Sequence, residues 1–180
     1  NNSLLDRQNS GDIRTKFQWR KNFLSIDNTL ALTLLRQYGY PYAYMGAVDS
    51  SKEQQSDLIG TICYNDPSSY RRLGITEGLT ARHDWEKITL TSITSYQYLN
   101  DEMVMDQDFL PLSYFTLTQA KQQHDISEDV IIRSRTNGRY KWMVGAFAFY
   151  KNQAMQAPVT FLSDGIENLI LKNINQHSGY

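Results

Sequence analysis

A chain of 180 residues with 41% hydrophobic residues and a formal net charge of −1 has apolar material enough for one domain. The near-neutral balance, with no basic stripe or basic patch interleaved with aromatics, gives nucleic acid no footprint. No apolar run is long enough to cross a bilayer as a helix, which excludes a helical membrane protein but not a barrel, whose strands need only about nine to eleven alternating residues.

The first unit alternates Ile13, Phe17 and Trp19 with Arg14, Lys16, Gln18 and Arg20. Lys21-Asn22 breaks the pattern, and Leu24, Ile26, Leu30, Leu32 and Leu34 then alternate with Ser25, Asp27, Thr29, Ala31 and Thr33. A period of two over this length predicts extended strands. If unbroken from Phe23 to Tyr40, the second strand would run about 60 Å, further than a bilayer core is thick. A long connection from Pro41 to Arg72 follows.

The second unit sets Leu73, Ile75, Leu79 and Ala81 against Gly74, Thr76, Gly78, Thr80 and Arg82. It turns at Asp84 to Lys87 and returns from Ile88 to Tyr98. After a loop from about Asn100 to Gln123, the third unit uses Ile126 to Arg135 and Tyr140 to Tyr150. Asn137-Gly138 between them predicts a type I′ hairpin turn, because both residues tolerate positive φ. Beyond Lys151 the pattern weakens to two short apolar runs, Val159 to Leu162 and Ile166 to Leu171.

The expected organisation is therefore three hairpins, about 10–40, 73–99 and 122–151, with long loops about 41–72, 100–121 and 152–180. Short turns alternating strictly with long loops are the habit of outer-membrane barrels. Aromatics mark both expected membrane edges. Trp19, Phe23, Trp85, Tyr140 and Trp142 lie near the short turns, and Tyr38, Tyr40, Tyr96, Tyr98, Phe149 and Tyr150 near the loop ends. Amphipathic rings favour that interfacial depth. Glu77 and Glu128 fall in phase with their apolar neighbours; a bulge near Gly74 or Gly78 would release Glu77, and Glu128 reads as lying early in its strand, above the membrane.

The residues give little support to catalysis. His83-Asp84 and His124-Asp125 are adjacent pairs, and neighbours on a strand point to opposite faces. No nucleophile elbow or phosphate-cradling glycine loop is present. The acidic set Asp101, Glu102, Asp106 and Asp108 lacks calcium-loop spacing and reads as a solvated loop. His177 has no second ligand at metal spacing, and the single cysteine, Cys63, reads as a small semi-apolar residue. The opening residues Asn1 to Arg7 do not read as a signal peptide. No enzyme, cofactor or metal is expected.

The loops instead concentrate rings. Tyr40, Tyr42, Tyr44, Tyr64, Tyr70, Phe109, Tyr114 and Phe115 fall in the expected long connections or, for Tyr40, at the edge of one, and aromatic loops at a barrel mouth suit flat or amphipathic ligands. Packing of these loops against one another explains the same residues equally well.

Several stretches carry a family likeness. Thr91 to Tyr96 followed by an acidic loop, then Ser127 to Ser134, a turn, and Tyr140 to Tyr150 resemble the barrel of TonB-dependent outer-membrane receptors, as do Gly39-Tyr40-Pro41-Tyr42 and Tyr64-Asn65-Asp66-Pro67. One strand departs from that pattern, reading Asp129-Val130-Ile131-Ile132 where an arginine would face the lumen. The resemblance implies an all-β antiparallel up-and-down meander forming part of a transmembrane barrel in the bacterial outer membrane, with a plug domain and further strands absent from this chain. It also implies capture of an iron chelate, a cobalamin or a glycan, and import powered by a TonB-type energy-coupling protein through parts this chain lacks. Outer-membrane lipid is the other expected partner. The competing expectation is a soluble β-rich module that binds a ligand or a partner and encloses its apolar face.

Overall fold

The computed structural model describes residues 5–46, 58–136, 138–161 and 174–179, the last six through their backbone. Eight strands form one antiparallel sheet: β1 (Arg7–Lys21), β2 (Leu24–Tyr38), β3 (Ser69–Asp84), β4 (Ile88–Asp106), β5 (Phe115–Ser134), β6 (Met143–Gln156), β7 (Val159–Phe161) and β8 (Ile174–Gly179). The order is β1-β2-β3-β4-β5-β6-β8, with β7 added to β5 beyond the end of β6. The fold is thus an all-β antiparallel meander, and its sheet is open. No helix occurs among the described elements.

Three connections lie at one end. Lys21 pairs with Leu24, so Asn22-Phe23 makes the first turn, one residue later than the sequence pattern placed it. Asn22 takes the positive φ of 51° that such a tight reversal requires. The second turn closes through the Trp85 N–H on the Ile88 carbonyl at 2.8 Å. The third departs from expectation. Pairing continues to Ser134 and Trp142, whose amide and carbonyl lie 2.9 Å apart, and β6 starts at Met143 rather than Tyr140. Arg135 explains the longer connection: its N–H donates to Lys87 O and its guanidinium to Trp85 O, both at 2.7 Å, so the neighbouring turn holds it. Asn137 lies outside the described residues.

The strands outrun their expected lengths at the opposite end. The expected loop 100–121 is mostly strand: β4 runs on to Asp106 and β5 begins at Phe115. Asn100-Asp101-Glu102 and Lys121-Gln122-Gln123 are polar on both faces and hide the pairing, whereas Phe115-Thr116-Leu117-Thr118 does alternate and carries a strand signal. Similarly, β3 starts at Ser69, and the expected loop 152–180 contains the end of β6, all of β7 and β8. The run Ile166 to Leu171 falls outside the described residues.

Because the register is uninterrupted, residue parity assigns the faces. One face carries Ile13, Phe17 and Trp19 of β1 beside Leu32, Leu30 and Ile26 of β2, then Ile75, Leu79 and Ala81 of β3. It continues through Leu90 and Tyr96 of β4 to Ile126, Val130 and Ile132 of β5 and Val144 and Ala146 of β6. The reverse face carries Arg14, Lys16, Arg20, Asp27, Thr80, Arg82, Gln97 and Asp125, and toward β6 also the apolar Ile93, Phe147 and Phe149. Nothing in the described chain covers the apolar face. Ile13, Phe17, Leu30 and Leu34 are all exposed, and among the described residues the only buried hydrophobic side chains are Tyr40 and Leu110, both in loops.

Two carboxylates interrupt that apolar face. No bulge turns Glu77 away, since β3 pairs residue for residue with both neighbours. Instead Asn28 Nδ2 donates to its carboxylate at 3.0 Å. Glu128 is not early in its strand, because β5 begins well before it; it accepts hydrogen bonds from Ser92 and Thr94, each at 2.5 Å. Cross-strand hydroxyls and an amide thus supply donors where a bare charge on an apolar face is costly.

Candidate functional site

The end of the sheet remote from the tight turns is closed by two chain segments folded against each other, residues 39–46 with 58–68 and residues 107–114. Gly39 starts the first with a φ of 65°. A Cβ there would lie 2.7 Å from Tyr64 Oη and 3.3 Å from the Leu5 backbone, so glycine is required both for space and for conformation. Its N–H donates to Ser68 O at 2.7 Å, locking the loop's entry to its exit.

Most of the expected ligand-binding rings meet here. Tyr40 and Tyr42 stack with centroids 5.5 Å apart, and Phe109 meets Tyr42 edge-on at 5.8 Å. Tyr64 Oη accepts the Tyr40 N–H at 2.9 Å. Tyr40 is only 8% exposed and its hydroxyl has no partner. Burial, with the nearby phenols of Tyr42, Tyr70 and Tyr64, pushes its pKa up to about 12. It therefore stays neutral and works as a packing ring.

Two expected members belong to strands instead of loops. Tyr70 lies on β3, where its hydroxyl donates to Asp101 at 3.1 Å and Arg72 sits 5.3 Å over its ring. Phe115 opens β5 and packs on Phe161 of β7 at 5.8 Å. Tyr44 is half-buried, its carbonyl accepting the Gly60 N–H at 2.9 Å. Tyr42 and Tyr114 keep large exposed surfaces, as do Met45, Ile59, Ile62 and Leu112 beside them. The cap thus presents these apolar and aromatic side chains outward, while its interior is packed by its own rings.

The acidic residues that read as a solvated loop are the cap's framework. Asp106 is fully buried, and its carboxylate accepts the N–H groups of Asp66 at 3.0 Å and Phe109 at 3.1 Å. Asp108 accepts from Leu110 at 2.8 Å and Tyr114 at 2.9 Å. Burial, opposed by these N–H donors and reinforced by Asp108, raises the Asp106 pKa above the ordinary carboxylate value. The other two acids form ion pairs on β4, Asp101 with Arg72 at 3.3 Å and Glu102 with Arg71 at 2.7 Å. Aspartates at Asp106-Gln107-Asp108 just before Pro111 were a turn-capping signal available in the sequence.

Other singled-out residues are accounted for locally. Cys63 is half-buried with its Sγ 3.8 Å from Phe109 O. His83 packs on Trp85 at 4.2 Å, and His124 Nδ1 lies 2.9 Å from Tyr96 Oη. Among the described residues, no group of three or more His, Cys, Asp or Glu side chains could hold a metal ion. His177 has no described side chain.

At the tight-turn end, Trp19, Phe23, Trp85, Tyr140 and Trp142 are all exposed, Tyr140 to 86%. A band of open rings therefore borders that edge of the apolar face. No known protein family, curated protein or solved structure matches this chain.

Proposed function

We propose that this chain forms part of the barrel wall and the loop cap of a TonB-dependent outer-membrane receptor, which captures a scarce nutrient and imports it by energy-coupled transport. The observation that carries the reading is the apolar face of β1 to β6, open along its whole width and bordered by exposed aromatics at the tight-turn end. Ile13, Phe17, Leu30 and Leu34 on that face are all exposed, and nothing in the described chain covers them. Lipid and further strands of a closed barrel would cover what this sheet leaves open, and closure would also satisfy the unpaired backbone row of β1.

In this reading the cap faces the outside and its apolar surface, including Tyr42 and Tyr114, meets the ligand. The class of ligand is an iron chelate, a cobalamin or a glycan, and the family resemblance in the sequence supports no finer choice. Energy coupling would use a TonB-type partner acting through parts outside this chain. Binding and conformational change suffice for the task, so no catalytic group or cofactor takes part.

The test is expression with the natural flanking sequence, followed by membrane fractionation and denaturing gels run with and without heating. A heat-modifiable species in the outer-membrane fraction is expected. A soluble monomer that melts cooperatively would replace the receptor with a soluble binding module.

A further inference from the structure

Just past the apolar rows, on the same face and toward the loop end, lies an open groove of about 620 Å³. Arg36 and Arg71 line it as directly opposed cross-strand neighbours. Like charges in that relation repel. Glu102 engages Arg71 through one guanidinium nitrogen, at 2.7 and 2.8 Å, while Arg36 makes no ion pair among the described residues. Asn9 stands opposite Arg36 on β1, adding a neutral polar group.

One step toward the tight turns, Leu34 and Leu73 oppose each other in the groove, and Leu32 and Ile75 continue the apolar track. From Leu24 to Arg36 the strand climbs about 40 Å along its own axis. With the tilt of barrel strands, that is about 30 Å above the turn end, just beyond an apolar band about 25 Å tall. Two guanidinium groups thus sit at headgroup depth over a hydrophobic track. A guanidinium fork matches the tetrahedral oxygens of phosphate, and the remaining donors of Arg71 are free to join Arg36.

We infer that this groove binds a phosphorylated lipid, its phosphate held between Arg36 and Arg71 and its acyl chain laid along Leu34 and Leu73. The inference rests on the reading of the apolar face as lipid-facing. A lipid answers both halves of the groove, because each methylene buried along the track adds affinity that a free anion lacks.

The experiment measures binding of dodecyl phosphate by calorimetry to the chain with its natural flanking sequence, in neutral-lipid nanodiscs. Inorganic phosphate and dodecyl maltoside serve as the headgroup-only and chain-only probes. Dodecyl phosphate is expected to bind well above both. Arg36→Ala should weaken it by about tenfold or more, the loss of one charge-assisted contact, and Arg36→Lys should restore part. Glu102→Gln, which frees Arg71 and removes a competing anion, should strengthen binding, an effect a merely structural arginine would not produce. Equal binding of inorganic phosphate, equal binding of dodecyl maltoside, or indifference to Arg36→Ala would each overturn the site. Heat-modifiable migration of the same samples separates the two readings: an inserted chain that ignores Arg36→Ala refutes the lipid site alone, and a chain that never inserts refutes the barrel.

Discussion

The wall and the cap of this molecule solve opposite problems. In the cap, Tyr40 and Leu110 are buried and Asp106 and Asp108 satisfy the backbone around them, so the loops finish their own packing. In the wall, six long strands pair perfectly yet leave Phe17, Leu30, Leu34 and Val144 in the open. A backbone ladder alone makes a sheet but not a core. On the proposed reading the wall's stability depends on what surrounds it, whereas the cap's depends on its own side chains.

The largest effect expected is on the wall. Leu32→Arg places a charge on the apolar face and should destabilise the membrane-inserted form by about 2–4 kcal/mol, whereas Thr76→Arg on the reverse face should change it little. Denaturant titration of heat-modifiable protein in lipid would check the pair, and equal losses would erase the distinction between faces.

The cap should fail independently. Asp106→Ala strands the Asp66 and Phe109 amides, at a cost of about 1–3 kcal/mol for each buried donor left unmade. Hydrogen exchange should accelerate in residues 58–68 and 107–114 with the strands unchanged. Gly39→Ala should loosen the same region by about 1–2 kcal/mol, through positive φ and the approach to Tyr64. Acceleration spread equally over the strands would show that cap and wall are one cooperative unit.

Acidity should distinguish the regions more gently. The folded-state pKa of Asp106 is raised, so folding favours its protonated form. Its contribution is fully present below the ordinary carboxylate value and is lost as pH rises through the raised one. Exchange protection of the cap, corrected for intrinsic rates, should therefore rise on acidification, and Asp106→Asn should flatten the trend. The smallest effect is at Tyr40, whose buried hydroxyl is unpartnered. Tyr40→Phe should be neutral or slightly stabilising, while Tyr64→Phe, which removes an acceptor from the Tyr40 N–H, should cost about 1 kcal/mol.

The wall was legible in the sequence because its signal is local: alternation from Ile13 to Leu34 and from Leu73 to Tyr98 directly encodes which side chains share a face. Its extensions were less so, since Asn100-Asp101-Glu102 and Lys121-Gln122-Gln123 are polar on both sides and extend the strands by pairing, although Phe115-Thr116-Leu117-Thr118 does alternate. The bounds of the third hairpin differ from the pattern because an adjacent turn holds Arg135, so that β5 ends at Ser134 and β6 begins at Met143. The cap was half legible. Its rings stood out, but the edge-on contact of Tyr42 with Phe109, and the role of Asp106 in tying residue 66 to residue 109, depend on contacts between segments distant in sequence.

The central claim, that the apolar face looks into lipid and its reverse does not, is tested most directly by spin labels at positions 30 to 34 in the membrane-associated protein. Accessibility to oxygen should peak at 30, 32 and 34 and accessibility to a water-soluble nickel chelate at 31 and 33, a period of two. Labels at 30, 32 and 34 that are reached by the nickel chelate, or shielded from both reagents, would contradict it.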